Sequence, residues 1–394
     1  MKNIALLGTG LIGMFYTMAL HAQRRKDRVR IVCARTEKSA REFAEKWNIP
    51  HHTTQMTEAI NHPEVDIVIV ALPNYLHKEA ILRACEAKKH ILCTKPLAMN
   101  AAEAKELLEA VEKAGVFHGY LEDLAYTPKT LKSLEMIQKG ALGQILWARS
   151  REAHPGPHSD WFWQKEFSGG GALVDLGCHC IEVSRNFIGK DIKPVEAMCW
   201  AATQVKPIEA EDHAIGLIKY ENGAIAQFEV SWNFRGGMDL RDEVSGTEGN
   251  LRLDHWLRTG FEMFTSANQN KYIAEKSESD SGWMFPVGDE VHTLGYPTMF
   301  TDMFEALENN ASPMETFYDG YIVNAIMDAC YKSAETRTWE PIVLDIWRGQ
   351  EGLSDKMALT EYDENHYLIK QEKMPDGTTK IILKDKKPVK SVSE

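Results

Sequence analysis

The sequence predicts an α/β Rossmann domain followed by an α+β domain with a large, mainly antiparallel open sheet. Three observations carry this. Short apolar runs alternate with helical stretches up to about residue 125, the rhythm of βαβ units around a buried parallel sheet. A complete G-x-G-x-x-G, Gly8 to Gly13, stands where the first run meets the first helix. Beyond that point the strands lengthen, alternate and are joined by hairpin turns. The chain has 394 residues, a prior of two or three domains at roughly 150 residues each. The expected divisions are 1–125 (dinucleotide binding), 126–350 (substrate binding and oligomerisation) and 351–394 (a C-terminal extension).

Residues 4–7 are the first apolar run, and a helix is expected from Leu11 to about Gln23. Val29–Ala34 is a second strand, followed by a helix over Lys38–Trp47. Val65–Leu72 is a third, rich in β-branched residues, followed by a helix over Lys78–Lys88. His90–Cys93 is a fourth, Ala101–Ala114 a helix and Val116–Tyr120 a fifth strand. Thr127–Lys139 reads as a helix ended by Gly140. In the second half, Ile145–Ala153, Ala197–Gln204, His213–Tyr220 and Ala224–Trp232 read as strands, the last two joined by Glu221-Asn222-Gly223, a hairpin signal. Asp242–Val244 and Asn250–Asp254 flank a Gly-Thr-Glu-Gly turn. Helices are expected over Ala172–Phe187, Thr298–Glu308 and Tyr318–Thr336. Residues 267–290 read as a long polar surface loop, and 366–394 as a hairpin followed by a frayed tail.

Composition excludes several classes. The net charge is −12 and no long basic run occurs, which disfavours nucleic acid and anionic membrane surfaces. No stretch approaches the roughly 18 apolar residues of a membrane helix. The N-terminus reads as a first strand rather than a signal peptide. Seven scattered cysteines without a C-x-x-C read as reduced thiols of a cytoplasmic protein.

The glycine turn follows a strand and opens a helix, as dinucleotide binding requires. Gly8 permits the tight turn, Gly10 lets backbone approach the pyrophosphate and Gly13 lets helix and strand pack closely; the helix N-terminus supplies amide donors. The second strand ends in Ala34-Arg35-Thr36, where an NAD site would carry Asp or Glu. Arg35 can pair with a 2′-phosphate or stack on adenine, a lean toward NADP. Thr94-Lys95-Pro96 follows the fourth strand, whose carboxyl end lines the ligand crevice. Gly169-Gly170-Gly171 then lead to Asp175 and His179, four residues apart and on one helical face. A Lys, an Asp and a His converging on a cleft form a proton-handling set, although Asp-x-x-x-His alone is better read as a surface pair or a satisfied buried histidine.

Together these features resemble the Gfo/Idh/MocA oxidoreductase family, through Gly8–Gly13, Ala71-Leu72-Pro73-Asn74 with His77, Thr94-Lys95-Pro96, and the triple glycine before Asp175 and His179. Glu211-Asp212-His213 and Gly246-Thr247-Glu248-Gly249 also fit, and the resemblance runs to about residue 345. It implies bound NAD(P), oxidation or reduction of a sugar or cyclitol carbon, and Lys95, Asp175 and His179 as catalytic residues. It further implies a cofactor site of Gly8, Gly10, Leu11, Ile12, Gly13, Arg35, Thr36, Leu72, Pro73, Asn74, His77, Thr94, Lys95 and Glu122. Thr94 replaces the usual Glu before Lys-Pro, and Glu122-Asp123 stands where many relatives have Tyr/Phe-Asn.

Residues 151–163 (REAHPGPHSDWFW) concentrate histidines and aromatic rings. The prolines between His154 and His158 exclude the helix that would make them metal ligands, and no metal is expected. Aromatic rings on sugar C–H faces and polar groups on hydroxyls suit a polyol, so His154, His158, Trp161 and Trp163 are the expected substrate contacts; tryptophans anchoring the loop to the core is the competing reading. This stretch resembles relatives that oxidise the C3 hydroxyl of glucosides. The expected function is NAD(P)-dependent oxidation of a secondary hydroxyl, at C3, of a sugar or glycoside. Glycoside cleavage through transient C3 oxidation and a non-catalytic sugar sensor are the alternatives. Trp200, Phe228 and Trp232 lie in the long strands, some on an uncovered face, which predicts a homo-oligomer through that sheet.

Overall fold

The computed structural model describes residues 2–24, 27–257, 259–266, 274–277, 281–353 and 359–386. One compact unit spans Met1–Leu353 and a second spans Ser354–Glu394. The first unit contains two large sheets and a small hairpin among the described residues. The six-stranded sheet is parallel, with β1 (Asn3–Leu7), β2 (Arg28–Cys33), β3 (His51–Thr53), β4 (Ile67–Val70), β5 (His90–Thr94) and β6 (His118–Leu121) in the order β3-β2-β1-β4-β5-β6. The direction of strand succession reverses between β1 and β4, which places the ligand crevice at their carboxyl ends. β4 is buried on both faces, as expected of a strand covered by helices. The sequence predicts five strands here; the sixth, β3, is three residues long, and so short a run with two histidines carries no apolar period.

The seven-stranded sheet contains β7 (Ile145–Ala153), β8 (Pro194–Ala202), β9 (His213–Tyr220), β10 (Ile225–Ser231), β11 (Asp239–Gly246) and β12 (Asn250–Asp254). Next in the chain come a small hairpin, β13 (Met263–Thr265) and β14 (Gly282–Met284), and β15 (Glu340–Pro341), which closes the edge of the large sheet. Its order is β12-β11-β7-β10-β9-β8-β15. All pairs are antiparallel except β7 with β10. The Asn222-Gly223 hairpin forms as expected, with Gly223 at φ +86°. One face packs on the helices Cys178–Ile188 and Phe317–Thr336. Gly216 of β9 makes room there, since a Cβ would stand 2.3 Å from the Phe228 ring. Phe228 (1% exposed) and Trp232 (0%) therefore belong to the core, which corrects two of the three candidates for the open face. Trp200 is 46% exposed and lies there with Met198, Ile215 and Leu217.

The expected helix over 172–187 begins instead as a π-helical turn, Leu173–Gly177, before the α-helix Cys178–Ile188. The expected loop over 267–290 contains β14 and the buried residue Glu275; residues 267–273 and 278–280 lie outside the described residues. In the second unit, β16 (His366–Lys373) and β17 (Thr379–Asp385) form the expected hairpin through Pro375-Asp376-Gly377. The frayed tail falls on 387–394, outside the described residues. Among the described residues no helix is long and apolar enough to cross a membrane, and all seven cysteines are free and buried.

Candidate active site

The glycine turn has the geometry its sequence implied. A Cβ at Gly8 (φ +111°) would stand 2.0 Å from the Ala71 carbonyl oxygen, and one at Gly13 would stand 2.3 Å from the Gly8 carbonyl oxygen. A Cβ at Gly10 would meet nothing within 4 Å. Gly8 and Gly13 are thus required by the protein's own packing, whereas Gly10 faces open space. Gly10 is also the N-cap of the helix Leu11–Thr17 and supplies no side-chain acceptor to its first amides. An open approach to uncapped amides fits an anionic pyrophosphate. Leu11 and Ile12 follow, each partly exposed. Arg35 is exposed just beyond β2. Thr36 accepts the Ser39 amide at 3.2 Å and caps the helix Glu37–Trp47. Leu72 and Pro73 are partly exposed at the end of β4.

Three residues expected to touch the dinucleotide are turned inward. His77 is fully buried, with Nε2 2.9 Å from the Leu72 carbonyl and Nδ1 3.0 Å from that of Pro96. Burial pushes its pKa down, and the neutral ring donates its single N–H to one of these two crevice carbonyls. Asn74 is buried and donates to the Ser168 carbonyl at 2.8 Å, tying the end of β4 to the triple glycine. Thr94 accepts the Tyr16 hydroxyl at 2.9 Å, so the replacement for the family's Glu is held by the first helix.

Lys95 reaches out from the end of β5. Its Nζ donates to the Asp175 carboxylate at 3.0 Å and to the Asp175 carbonyl at 2.6 Å. Burial alone would lower the Lys95 pKa, but Asp175 more than offsets it and the pKa is raised. Burial opposes ionisation of Asp175 too, yet Lys95 and His154 hold its pKa down at about 2. Both are charged at neutral pH. The other Asp175 carboxylate oxygen accepts the Trp232 indole N–H at 3.1 Å, so the buried Trp232 is part of the site floor. The triple glycine permits this approach: a Cβ at Gly171 would stand 1.8 Å from the Glu211 carbonyl oxygen. Glu211 in turn accepts the Gly171 and Leu173 amides at 3.0 and 2.8 Å and the Tyr331 hydroxyl at 2.9 Å.

His179 stands near the start of the following helix, buried, with Nδ1 on the carboxyl of Glu122 just beyond β6. Glu122, expected at the cofactor site, pairs with this histidine. Burial and Lys95 push the His179 pKa down to about 3, and burial pushes Glu122 up to about 8. Glu152 of β7 is buried among the same charges, and burial raises its pKa well above the usual range. Its place was not readable, because one acid in an alternating strand looks like a solvent-facing residue. Glu122, Cys178 and His179 offer ligand atoms within 4.8 Å of one another. The Lys95 ammonium faces the same group, and no metal role is assigned to it.

The aromatic loop divides. His154 is buried and accepts the Gly156 amide through Nδ1 at 2.9 Å. Trp163 packs edge-on to Trp232 at 5.2 Å and against Gly156. These two hold the loop down, the anchoring role. Trp161 is partly exposed and stacked on Phe162 at 3.7 Å. His158 is exposed, 3.6 Å from Glu275. Beside it Lys276, from a stretch read as a surface loop, donates to the Gly156 carbonyl at 3.0 Å and is itself shielded from solvent.

A dinucleotide-shaped turn opening beside a buried Lys–Asp pair and a histidine defines a dehydrogenase. Comparison with known proteins places the chain more closely. Residues 2–120 match the oxidoreductase family with an NAD-binding Rossmann fold, and residues 130–252 match the GFO/IDH/MocA C-terminal domain. The chain belongs to the Gfo/Idh/MocA family of oxidoreductases. It is 27% identical to levoglucosan dehydrogenase of Pseudarthrobacter phenanthrenivorans over 384 residues, covering 86% of this chain and 97% of that protein. It is 24% identical to D-glucoside 3-dehydrogenase of Escherichia coli over 361 residues, covering 85% and 96%. The crystal structure of GenD2 from gentamicin A biosynthesis, in complex with NAD, superposes with a TM-score of 0.81 at 28% identity, covering 87% of this chain and 97% of that one.

Proposed function

We propose that the protein oxidises the C3 hydroxyl of a pyranose sugar or glycoside, with Lys95, Asp175 and His179 as its catalytic residues. The observation that carries the reading is the meeting of Lys95, from the parallel sheet, with Asp175 and His179, from the helix beneath the second sheet. A bound nicotinamide supplies the hydride acceptor. His179 takes the hydroxyl proton at Nε2, the ring nitrogen that Glu122 leaves available. The Lys95 ammonium, fixed by Asp175, faces the developing alkoxide and stabilises it in a site shielded from water. Asp175 keeps lone pairs for a neighbouring sugar hydroxyl. Trp161 and His158, the more exposed members of the aromatic loop, take the sugar face and a hydroxyl.

Two relatives, levoglucosan dehydrogenase and D-glucoside 3-dehydrogenase, support a pyranose substrate. The NAD in the GenD2 structure supports NAD as acceptor; Arg35 then stacks on the adenine, and the lean toward a 2′-phosphate is set aside. The apolar part of the open sheet face, around Trp200, joins copies of the chain into an even-numbered homo-oligomer. Steady-state kinetics on folded variants test the assignment. His179→Ala should lose about 10²–10⁴ in kcat, the usual contribution of a general base, while still binding NAD. Near-wild-type kcat in both His179→Ala and Lys95→Ala would refute it.

A further inference from the structure

We propose that Glu122 is the positioning residue of the proton acceptor: it holds Nδ1 of His179 and shares one proton with it, so that the two act as a single one-proton unit. The inference rests on His179 being the acceptor. Glu122 comes from the end of the parallel sheet and His179 from the helix under the other sheet, so their contact spans the crevice. Both are buried; the Leu124 amide bonds the Glu122 carboxyl, and among the described residues its oxygen Oε2 is buried without a hydrogen-bond partner at normal geometry. An ionised carboxylate with one bare oxygen away from water is costly; a carboxyl whose proton points at Nδ1 avoids that cost. The groups around the pair are Lys95 just beyond β5, Tyr120 from β6, Asp123 beside Glu122, Glu152 from β7, Asp175 on the turn before the helix of His179, and Cys178 and Glu182 on that helix. Burial is the largest influence on both partners, and Lys95, itself paired with Asp175, is the next, lowering each.

The proton count follows. In the loaded form one proton lies between Oε1 and Nδ1, a second sits on Nε2, and the pair is neutral. In the unloaded form the carboxylate accepts Nδ1–H, Nε2 carries a lone pair, and the pair has charge −1. Only the unloaded form can accept a proton from a hydroxyl. As the substrate O–H bond breaks, an N–H bond forms at Nε2 and the pair returns to neutral; the C–H electron pair leaves with the hydride to the dinucleotide. Burial favours the neutral form in both partners, raising Glu122 and lowering His179. Sugar oxidation should therefore speed up as pH rises from neutral into the alkaline range, and ketone reduction should show the opposite slope.

The experiment is the pH profile of kcat for methyl glucoside oxidation at saturating NAD, in wild type, Glu122→Gln and Glu122→Asp. Glutamine keeps the size but cannot share the proton, so His179 titrates alone under burial and Lys95. Glu122→Gln should lose about tenfold or more in kcat, with KM little changed and the rising limb moved at least about one pH unit lower. Glu122→Asp should keep an alkaline limb. A kcat loss with the limb unmoved would mean a merely structural role and overturn the proposal, as would an unchanged Glu122→Gln enzyme. A second arm needs neither turnover nor a folded variant at position 122. In wild type labelled with ¹⁵N-histidine, the His179 signals, assigned by their loss in His179→Ala, should show Nε2 losing its proton in the alkaline range while Nδ1 stays hydrogen-bonded. An Nε2 already bare at neutral pH would overturn the proposal. Loss of turnover in His179→Ala tests the acceptor assignment separately.

Discussion

Replacing Gly10 by alanine separates ligand binding from folding at one atom. A Cβ at Gly10 meets nothing within 4 Å, and its φ of −75° is open to any L-residue. Alanine is a poorer N-cap than glycine, on the order of 0.5–1 kcal/mol. It also restricts the unfolded chain, a gain of about 0.4–1 kcal/mol. The two nearly cancel, so unfolding stability should stay within about 1 kcal/mol of wild type. The methyl group enters the space through which a pyrophosphate approaches the helix amides. Losing one charge-assisted hydrogen bond there costs about 1.5–3 kcal/mol, a roughly tenfold to 150-fold weaker NAD complex. Gly13→Ala is the control. Its Cβ would stand 2.3 Å from a backbone oxygen, so it should lose about 1–3 kcal/mol of stability. Thermal unfolding and calorimetric NAD titration on the same samples read both quantities. Wild-type NAD affinity in folded Gly10→Ala, or destabilisation equal to that of Gly13→Ala, would refute the assignment.

Lys95→Met strips a buried carboxylate of its cation; it should destabilise the fold by about 3–5 kcal/mol in chemical denaturation and abolish turnover. Arg35→Ala should weaken NAD and NADP alike if the guanidinium stacks on adenine, whereas a selective loss of NADP in binding titrations would restore the 2′-phosphate reading. Trp161→Ala or His158→Ala should raise KM at least as much as it lowers kcat, the mark of ground-state binding; the reverse split would remove them from the sugar site. Trp200→Glu on the open sheet face should lower the mass measured by light scattering toward the 44.6 kDa of one chain; a monomeric wild type would dismiss that interface.

The parallel sheet was legible because each buried strand is a continuous apolar run between helices, and Gly8–Gly13 marks its turn by position as well as pattern. Lys95, Asp175 and His179 were legible through their neighbours, the proline and the triple glycine. Their partners were not. Glu122 reads as a cofactor contact and Glu152 as an exposed acid of an alternating strand, and only the packing of the two sheets brings both to the site. Asn74 and His77 looked like ligand contacts because they follow a strand end, yet a side chain there can point either way. Trp232 looked like an open-face residue, but it follows the last residue of β10, Ser231, and turns its indole onto Asp175. Lys276 lay in a polar stretch with no period to show that it folds back over the aromatic loop.

The central claim is hydride abstraction from C3 of a pyranose ring, and isotope transfer measures it directly. The protein is incubated with NAD and methyl glucoside deuterated only at C3, and the recovered dinucleotide is examined by mass spectrometry and NMR. Reduced dinucleotide carrying one deuterium at the nicotinamide C4, with a 3-keto glycoside in equal amount, is the expected result. Reduced dinucleotide without deuterium would place the oxidation at another carbon, and aglycone release with no net reduction would mark a cleaving enzyme; either result would contradict it.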